Sequence, residues 1–154
     1  MKKETKVIKN FLKKIGAPTI RVRSVSFDTQ ADMEGNVIYF NKKDFQDYKV
    51  NRIIKSYYNS IGQKDIKVHM GTYAIFHELG HLLSKMEIKN FEKTYNIYVN
   101  WSNKIAKIKN YKLRFYTYRN LRLEKLADKY AYIVYKNFEK QIIKFDKKLQ
   151  KVCE

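Results

Sequence analysis

One proline and five glycines are all that punctuate this 154-residue chain. Those two residues are the strongest local breakers of regular structure, so their scarcity favours long helices. Apolar spacing agrees. Val7, Ile8, Phe11, Leu12 and Ile15 mark an amphipathic helix from Lys3 to Ile15, stopped by Gly16-Ala17-Pro18. Alternation of Ile20 and Val22, then Val25 and Phe27, predicts a strand over Thr19 to Phe27 with one slip in phase. Val37 to Phe40 predicts a second strand, and the polar stretch Asp28–Asn36 suggests that the two pair as a hairpin. Further on, helices are expected over Asn51–Ser60, Gly71–Met86, Phe91–Ile108 and Tyr118–Leu149, with a short strand at Asp65–His69. No repeat or low-complexity linker interrupts the pattern. The expectation is one domain over residues 1–154, α+β but mainly α, with a small sheet.

Composition closes several alternatives. The chain is 44% hydrophobic and 15% aromatic, too rich in core-forming side chains for a disordered protein. No apolar run approaches the roughly 18–20 residues of a membrane-spanning helix. The start, MKKETKVIKNFLKKIG, lacks the apolar stretch and cleavage site of a secretion signal. The lone Cys153 cannot form an internal disulfide, so a cytoplasmic setting is expected.

The 33 Lys and Arg exceed 15 Asp and Glu, for a net charge of +18. Such a field attracts polyanions. However, 27 of the 33 are Lys in a chain also rich in Asn, Ile and Tyr, the residue set that an AT-rich coding sequence favours. A well-solvated, compositionally biased surface is therefore the simpler reading.

Chemistry concentrates in Tyr73-Ala74-Ile75-Phe76-His77-Glu78-Leu79-Gly80-His81-Leu82-Leu83. On a helix, residues four apart point within about 40° of each other, so His77 and His81 can hold one ion between them. Glu78 flanks that ion, placed to take a proton from water. On the same wheel Ile75, Leu79, Leu82, Leu83 and Met86 gather on the opposite side, giving the helix a core face that leaves the metal face free.

A catalytic zinc takes three protein ligands and leaves a position open. Downstream, Glu124 and Asp128 lie one turn apart, on a stripe with Ala127 and Ala131 that lets another helix approach closely, with Gly80 as the facing residue. Glu124 is the expected third ligand, and Asp128 the acceptor for a ligand histidine's N–H. The competing reading places Glu124 on a solvated face beside Lys125 or Lys129.

His77-Glu78-Leu79-Gly80-His81 followed by Glu124-Lys125-Leu126-Ala127-Asp128 resembles the Glu-zincin metallopeptidases, which carry HExxH on one helix and ExxxD on a later one. Among them the chain looks most like the ImmA/IrrE-like peptidases and related zincins of phages and mobile elements. Its lead-in Met70-Gly71-Thr72-Tyr73 and the following Tyr130-Ala131-Tyr132 depart from that group's usual pattern. The resemblance spans roughly residues 20–135. It implies a zincin-like domain with a short sheet beside the HExxH helix, a Zn2+ cofactor, and cleavage of a specific protein or peptide substrate. Related enzymes stabilise the oxyanion with a His or Tyr; His69, Tyr116, Tyr118 and Tyr132 are the candidates, His69 foremost.

Residues 93–122 contain no acidic side chain, and Lys112, Arg114 and Arg119 alternate with Tyr111, Phe115, Tyr116 and Tyr118. Such mixing can stack bases and neutralise phosphates, which keeps two alternatives open. One is a nucleic-acid-associated protein with a retained zincin metal site. The other is a phage structural or assembly module of weak or no activity. Asp28, Asp32, Glu34, Asp44 and Asp47 form an acidic-leaning region around the strands, and the basic excess gathers in the N-terminal helix and between His81 and Glu124, so part of it is expected to border the cleft and bias it toward acidic partners.

Overall fold

The computed structural model describes residues 1–154 and is mainly helical, with one three-stranded sheet. Helix α1 (Lys3–Lys14) is followed by β1 (Arg21–Ser24), β2 (Gln30–Asp32) and β3 (Val37–Phe40). Then come α2 (Tyr48–Ser60), α3 (Met70–Ser84), α4 (Phe91–Ile105), α5 (Tyr111–Arg119) and α6 (Arg122–Cys153). Short 3₁₀ turns stand at Lys42–Phe45 and Lys85–Glu87. Side-chain caps start several of these helices where the sequence supplies them. Asp47, Asn90 and Asn110 each accept the backbone N–H three residues on, satisfying a donor that the first turn would otherwise orphan.

The sheet differs from the expected hairpin. Order is β1-β3-β2, with β1 parallel to β3 and β2 antiparallel to it. The turn signal at Gly35-Asn36 serves the β2–β3 connection instead. Asp32 Oδ1 accepts from the backbone N–H of Glu34 and Gly35, and Asn36 adopts φ 53°, a left-handed conformation that Asn tolerates better than most residues. Strand β2, Gln-Ala-Asp, has no apolar alternation that would announce it. Central β3 buries Val37, Ile38 and Phe40.

The expected strand at 65–69 is absent. Ile66 and Val68 are buried, which explains their alternation, but the N–H of Lys67 donates to the Tyr135 hydroxyl at 2.9 Å and not to a neighbouring strand. The expected Tyr118–Leu149 helix is also two elements. Asn120 and Leu121 break it, closing α5 through bonds to the carbonyls of Thr117 and Tyr118.

Helix α3 is the centre of the fold. It packs along α6 and against α2, β2 and β3, so its walls are protein on nearly every side. Ile75 and Leu79 are core residues as expected, whereas Leu83 is 38% and Met86 95% exposed. Helical periodicity alone predicts one buried face. Burial covers almost the whole helix up to His81 and beyond it narrows to Ser84, as the chain runs out toward solvent through the 3₁₀ turn. The main core joins Ile8, Phe11 and Leu12 of α1 to Phe76 of α3 and Phe145 of α6, where Phe11 stacks on Phe145 and meets Phe76 edge-on. No helix is long and apolar enough to cross a membrane.

Candidate metal centre

The site is made where α3 and α6 touch. Gly80 on α3 faces the Ala127 backbone so closely that a Cβ there would stand 2.2 Å from the Ala127 carbonyl oxygen. With Ala127 and Ala131 both fully buried, the small-residue stripe lets the two backbones meet. One turn before Ala127's neighbour Asp128, Glu124 then reaches the motif histidines.

His77 Nε2 lies 2.8 Å from Glu124 Oε2, and His81 Nε2 lies 3.1 Å from Glu124 Oε1. Ligand atoms of His77, His81 and Glu124 all fall within 4.8 Å of one another, and all three residues are buried. The group could hold a metal ion. Two neutral-capable imidazoles and one carboxylate form a donor set suited to a divalent transition metal. His81 Nδ1 is buried without any hydrogen-bond partner. The solvated-face reading of Glu124 is thereby excluded, since that residue is 1% exposed.

Asp128 holds the far side of the His77 ring, its Oδ1 2.8 Å from Nδ1. Hydroxyls of Tyr57 and Tyr58 donate to the two Asp128 oxygens at 2.8 and 3.0 Å, and Arg119 Nη1 donates to Oδ1 at 2.8 Å. An Nδ1–H donated to Asp128 turns the Nε2 lone pair toward Glu124, the orientation a ligand histidine needs, and Arg119 Nη1 stands 3.0 Å from the same nitrogen.

Electrostatics of the metal-free chain follow from this packing. Burial opposes charge on Glu124, yet His81 and His77 beside it hold its carboxyl well below the usual range. Burial likewise opposes charge on Asp128, and Arg119 and His77 outweigh it, so its pKa is lowered. For His77, burial and the Arg119 charge favour the neutral ring, but Asp128 and Glu124 prevail and raise it to about 9. Glu78 is pushed up by burial, against the pull of His77 and His81. A carboxyl raised toward neutrality is a better proton acceptor than an ordinary surface glutamate.

Of the four oxyanion candidates, only Tyr118 lines the cavity in front of this cluster. His69 caps α3: its Nδ1 accepts from Gly71 N–H at 3.0 Å and its ring stacks on Phe45. Eight residues before His77, it lies about 12 Å away along the helix axis. Tyr116 bonds Ser56 and Tyr132 bonds Asp65.

Four residues escaped sequence reasoning. Tyr57 and Tyr58 anchor Asp128, Tyr98 donates to Glu124 Oε1 at 2.8 Å and meets the Tyr118 hydroxyl, and Arg119 sits against the His77 ring. Arg119 was visible only as one cation among eight in the basic stretch; its burial, 8% exposed, is a tertiary fact. By contrast Lys93, Lys104, Lys107, Lys109 and Lys112 are exposed.

Of the cations in the basic stretch, only Arg119 lines the cleft. A cavity of about 740 Å³ opens onto Glu78, His81 and Glu124, and none of its lining residues is a lysine. Acidic side chains of residues 28–47 line it as well. Comparison with known proteins adds no relative: no family model, curated protein or solved structure matches the chain.

Proposed function

We propose that the protein is a zinc-dependent endopeptidase of zincin type, cleaving peptide bonds in a specific protein substrate. The observation that carries this reading is the buried His77–His81–Glu124 cluster with Glu78 beside it, open to a cavity large enough for an extended segment of chain. A zinc ion there would supply Lewis-acid polarisation of the scissile carbonyl and make water a stronger acid near neutral pH. His77, His81 and Glu124 would hold it, while Asp128 fixes the His77 ring.

Glu78 accepts the proton of the attacking water and passes it to the leaving amine. Its burial beside His77 and His81 keeps it close to both groups and away from bulk solvent. The Tyr118 hydroxyl, in the cavity beside Tyr98, is the donor best placed among the candidates for the developing oxyanion. The single, buried cysteine suits a reducing compartment such as the cytoplasm.

The test compares the proteins cleaved in a cell extract by the zinc-loaded wild type and by Glu78→Gln. Discrete new termini that appear with the wild type and vanish with the variant, at unchanged metal content, support the reading. Identical products from both proteins, or none from either, overturn it.

The exposed lysines of 93–112 support a second reading, a peptidase that also contacts nucleic acid. Its affinity for duplex or single strands should then fall steeply with salt through counterion release. No binding at low salt removes it.

A further inference from the structure

The cavity before the metal cluster has Arg119 as its one Lys or Arg and otherwise combines two kinds of side chain that favour positive charge. Asp28, Asp32, Glu34, Asp44 and Asp47 line it, from β2 and the turns on either side of the sheet. None of the five forms an ion pair, although the chain carries 33 Lys and Arg. In a protein of net charge +18, five cleft carboxylates left without a cation are a local reversal of the whole surface.

Helices α4 and α5 bring aromatic rings to the same cavity: Tyr95, Tyr98, Tyr111, Phe115 and Tyr118. Aromatic faces attract ammonium and guanidinium groups. The elements approach one another closely enough for charge to be felt between them. Burial first, then Asp28 and Asp47, raise the pKa of Tyr111 on α5, and the same two carboxylates add to the rise at Asp44.

A metal cage is a poorer account of the acids. Asp32, Asp44 and Asp47 already accept backbone N–H groups from Gly35, Thr29 and Val50. The His/Cys/Asp/Glu group that converges closely enough to hold an ion is the His77–His81–Glu124 set. Two buried polar atoms without a partner, His81 Nδ1 and Arg119 Nε, belong to residues lining this same cavity.

We infer that the cleft selects a cationic polypeptide segment, with Lys or Arg side chains near the scissile bond held by these carboxylates and rings. The inference rests on the peptidase reading for the scissile bond, but its charge preference is measurable without cleavage. It also opposes the net charge of the protein, which by itself would draw in acidic peptides.

The experiment uses zinc-loaded Glu78→Gln, full length, and two fluorescent peptides that differ only in having lysines or glutamates at the same positions. At low salt the lysine peptide should bind at least about tenfold more tightly, with the difference shrinking as salt screens it. Asp28→Asn with Glu34→Gln should cut that preference several-fold; neither side chain makes a hydrogen bond or ion pair in the protein, so the fold has nothing to lose. Equal or tighter binding of the glutamate peptide, binding of neither, or a preference unchanged in the double variant overturns the inference. Incubating the lysine peptide with the wild type separates the two readings: if bound but uncut, it counts against the peptidase and leaves the charge selection standing.

Discussion

Gly80 and Ala127 are in backbone contact: a Cβ on Gly80 would lie 2.2 Å from the Ala127 carbonyl oxygen and 3.0 Å from its Cα. No flexible side-chain end is there to move away, so Gly80→Ala must push α3 and α6 apart. Overpacking of this kind costs about 1–3 kcal/mol. The same displacement draws Glu124 back from His77 and His81. Urea unfolding should show the loss of stability, and a metal titration should show weaker binding. Full stability with unchanged metal affinity would mean that the helices do not meet there.

Asp128→Asn removes the charge that orients the His77 ring and compensates Arg119, whose Nη1 lies 2.8 Å from Oδ1. Loss of such a partner behind a ligand histidine typically weakens metal affinity 10–100-fold. Competition with a chelator measures it. The variant should also unfold more easily, because Arg119 is left buried with its main counter-charge gone. An affinity indistinguishable from wild type would show that His77 needs no help from Asp128.

Protonation of His77 ties metal binding to pH. In the metal-free protein the pKa of this ring is raised from 6.5 to about 9 by Asp128 and Glu124, against burial and Arg119. A raised value in the folded state gives stability that is fully present below about pH 6.5 and is lost as pH rises through about 9. At neutral pH the ring must therefore shed a proton before Nε2 can bind an ion. Calorimetric titration with zinc in buffers of different ionisation enthalpy should report release of about one proton per ion at pH 7. Uptake of protons, or none exchanged, contradicts this electrostatic picture.

Asp146 ties the start of α3 to α6. Its Oδ1 accepts from Thr72 Oγ1 at 2.6 Å and from the His69 N–H, and its Oδ2 from Gln150 at 2.7 Å, all at 5% exposure. A buried carboxylate near a helix N-terminus also meets the positive end of the helix dipole. Asp146→Ala should cost about 1–3 kcal/mol by leaving buried donors unmatched. Metal stoichiometry should stay the same, because Asp146 joins α3 two turns before His77. Thermal unfolding with metal analysis distinguishes a structural anchor from a member of the site.

What the sequence made readable was local. His77 with His81, and Glu124 with Asp128, are pairs one helical turn apart, so helix geometry alone places each pair on one face. The Gly80 and Ala127 small-residue positions hinted that the two faces meet. Arg119, Tyr57, Tyr58 and Tyr98 were not readable, because each reaches the site from another element and looks in sequence like any exposed cation or packed aromatic. The sheet failed for a similar reason. Strand β2 is three polar-leaning residues whose only strand credential is pairing with β3, and its insertion makes β1 and β3 parallel. At Ile66 and Val68, period-two burial was real, but a tyrosine hydroxyl supplies the hydrogen bond that a strand neighbour would have made. The charge of the cleft was misjudged because proximity in sequence to the motif placed lysines between His81 and Glu124, while the fold turned them outward and brought in the acids of residues 28–47.

Metal analysis of the purified full-length protein, after zinc loading and exhaustive dialysis, bears most directly on the centre proposed here. One zinc per chain is expected for the wild type and for Glu78→Gln. His81→Ala and Glu124→Ala should each lose it while still showing the helical circular dichroism of the folded chain. A folded wild type that retains no metal, or a His81→Ala protein that retains it in full, would contradict the assignment of His77, His81 and Glu124 as its ligands.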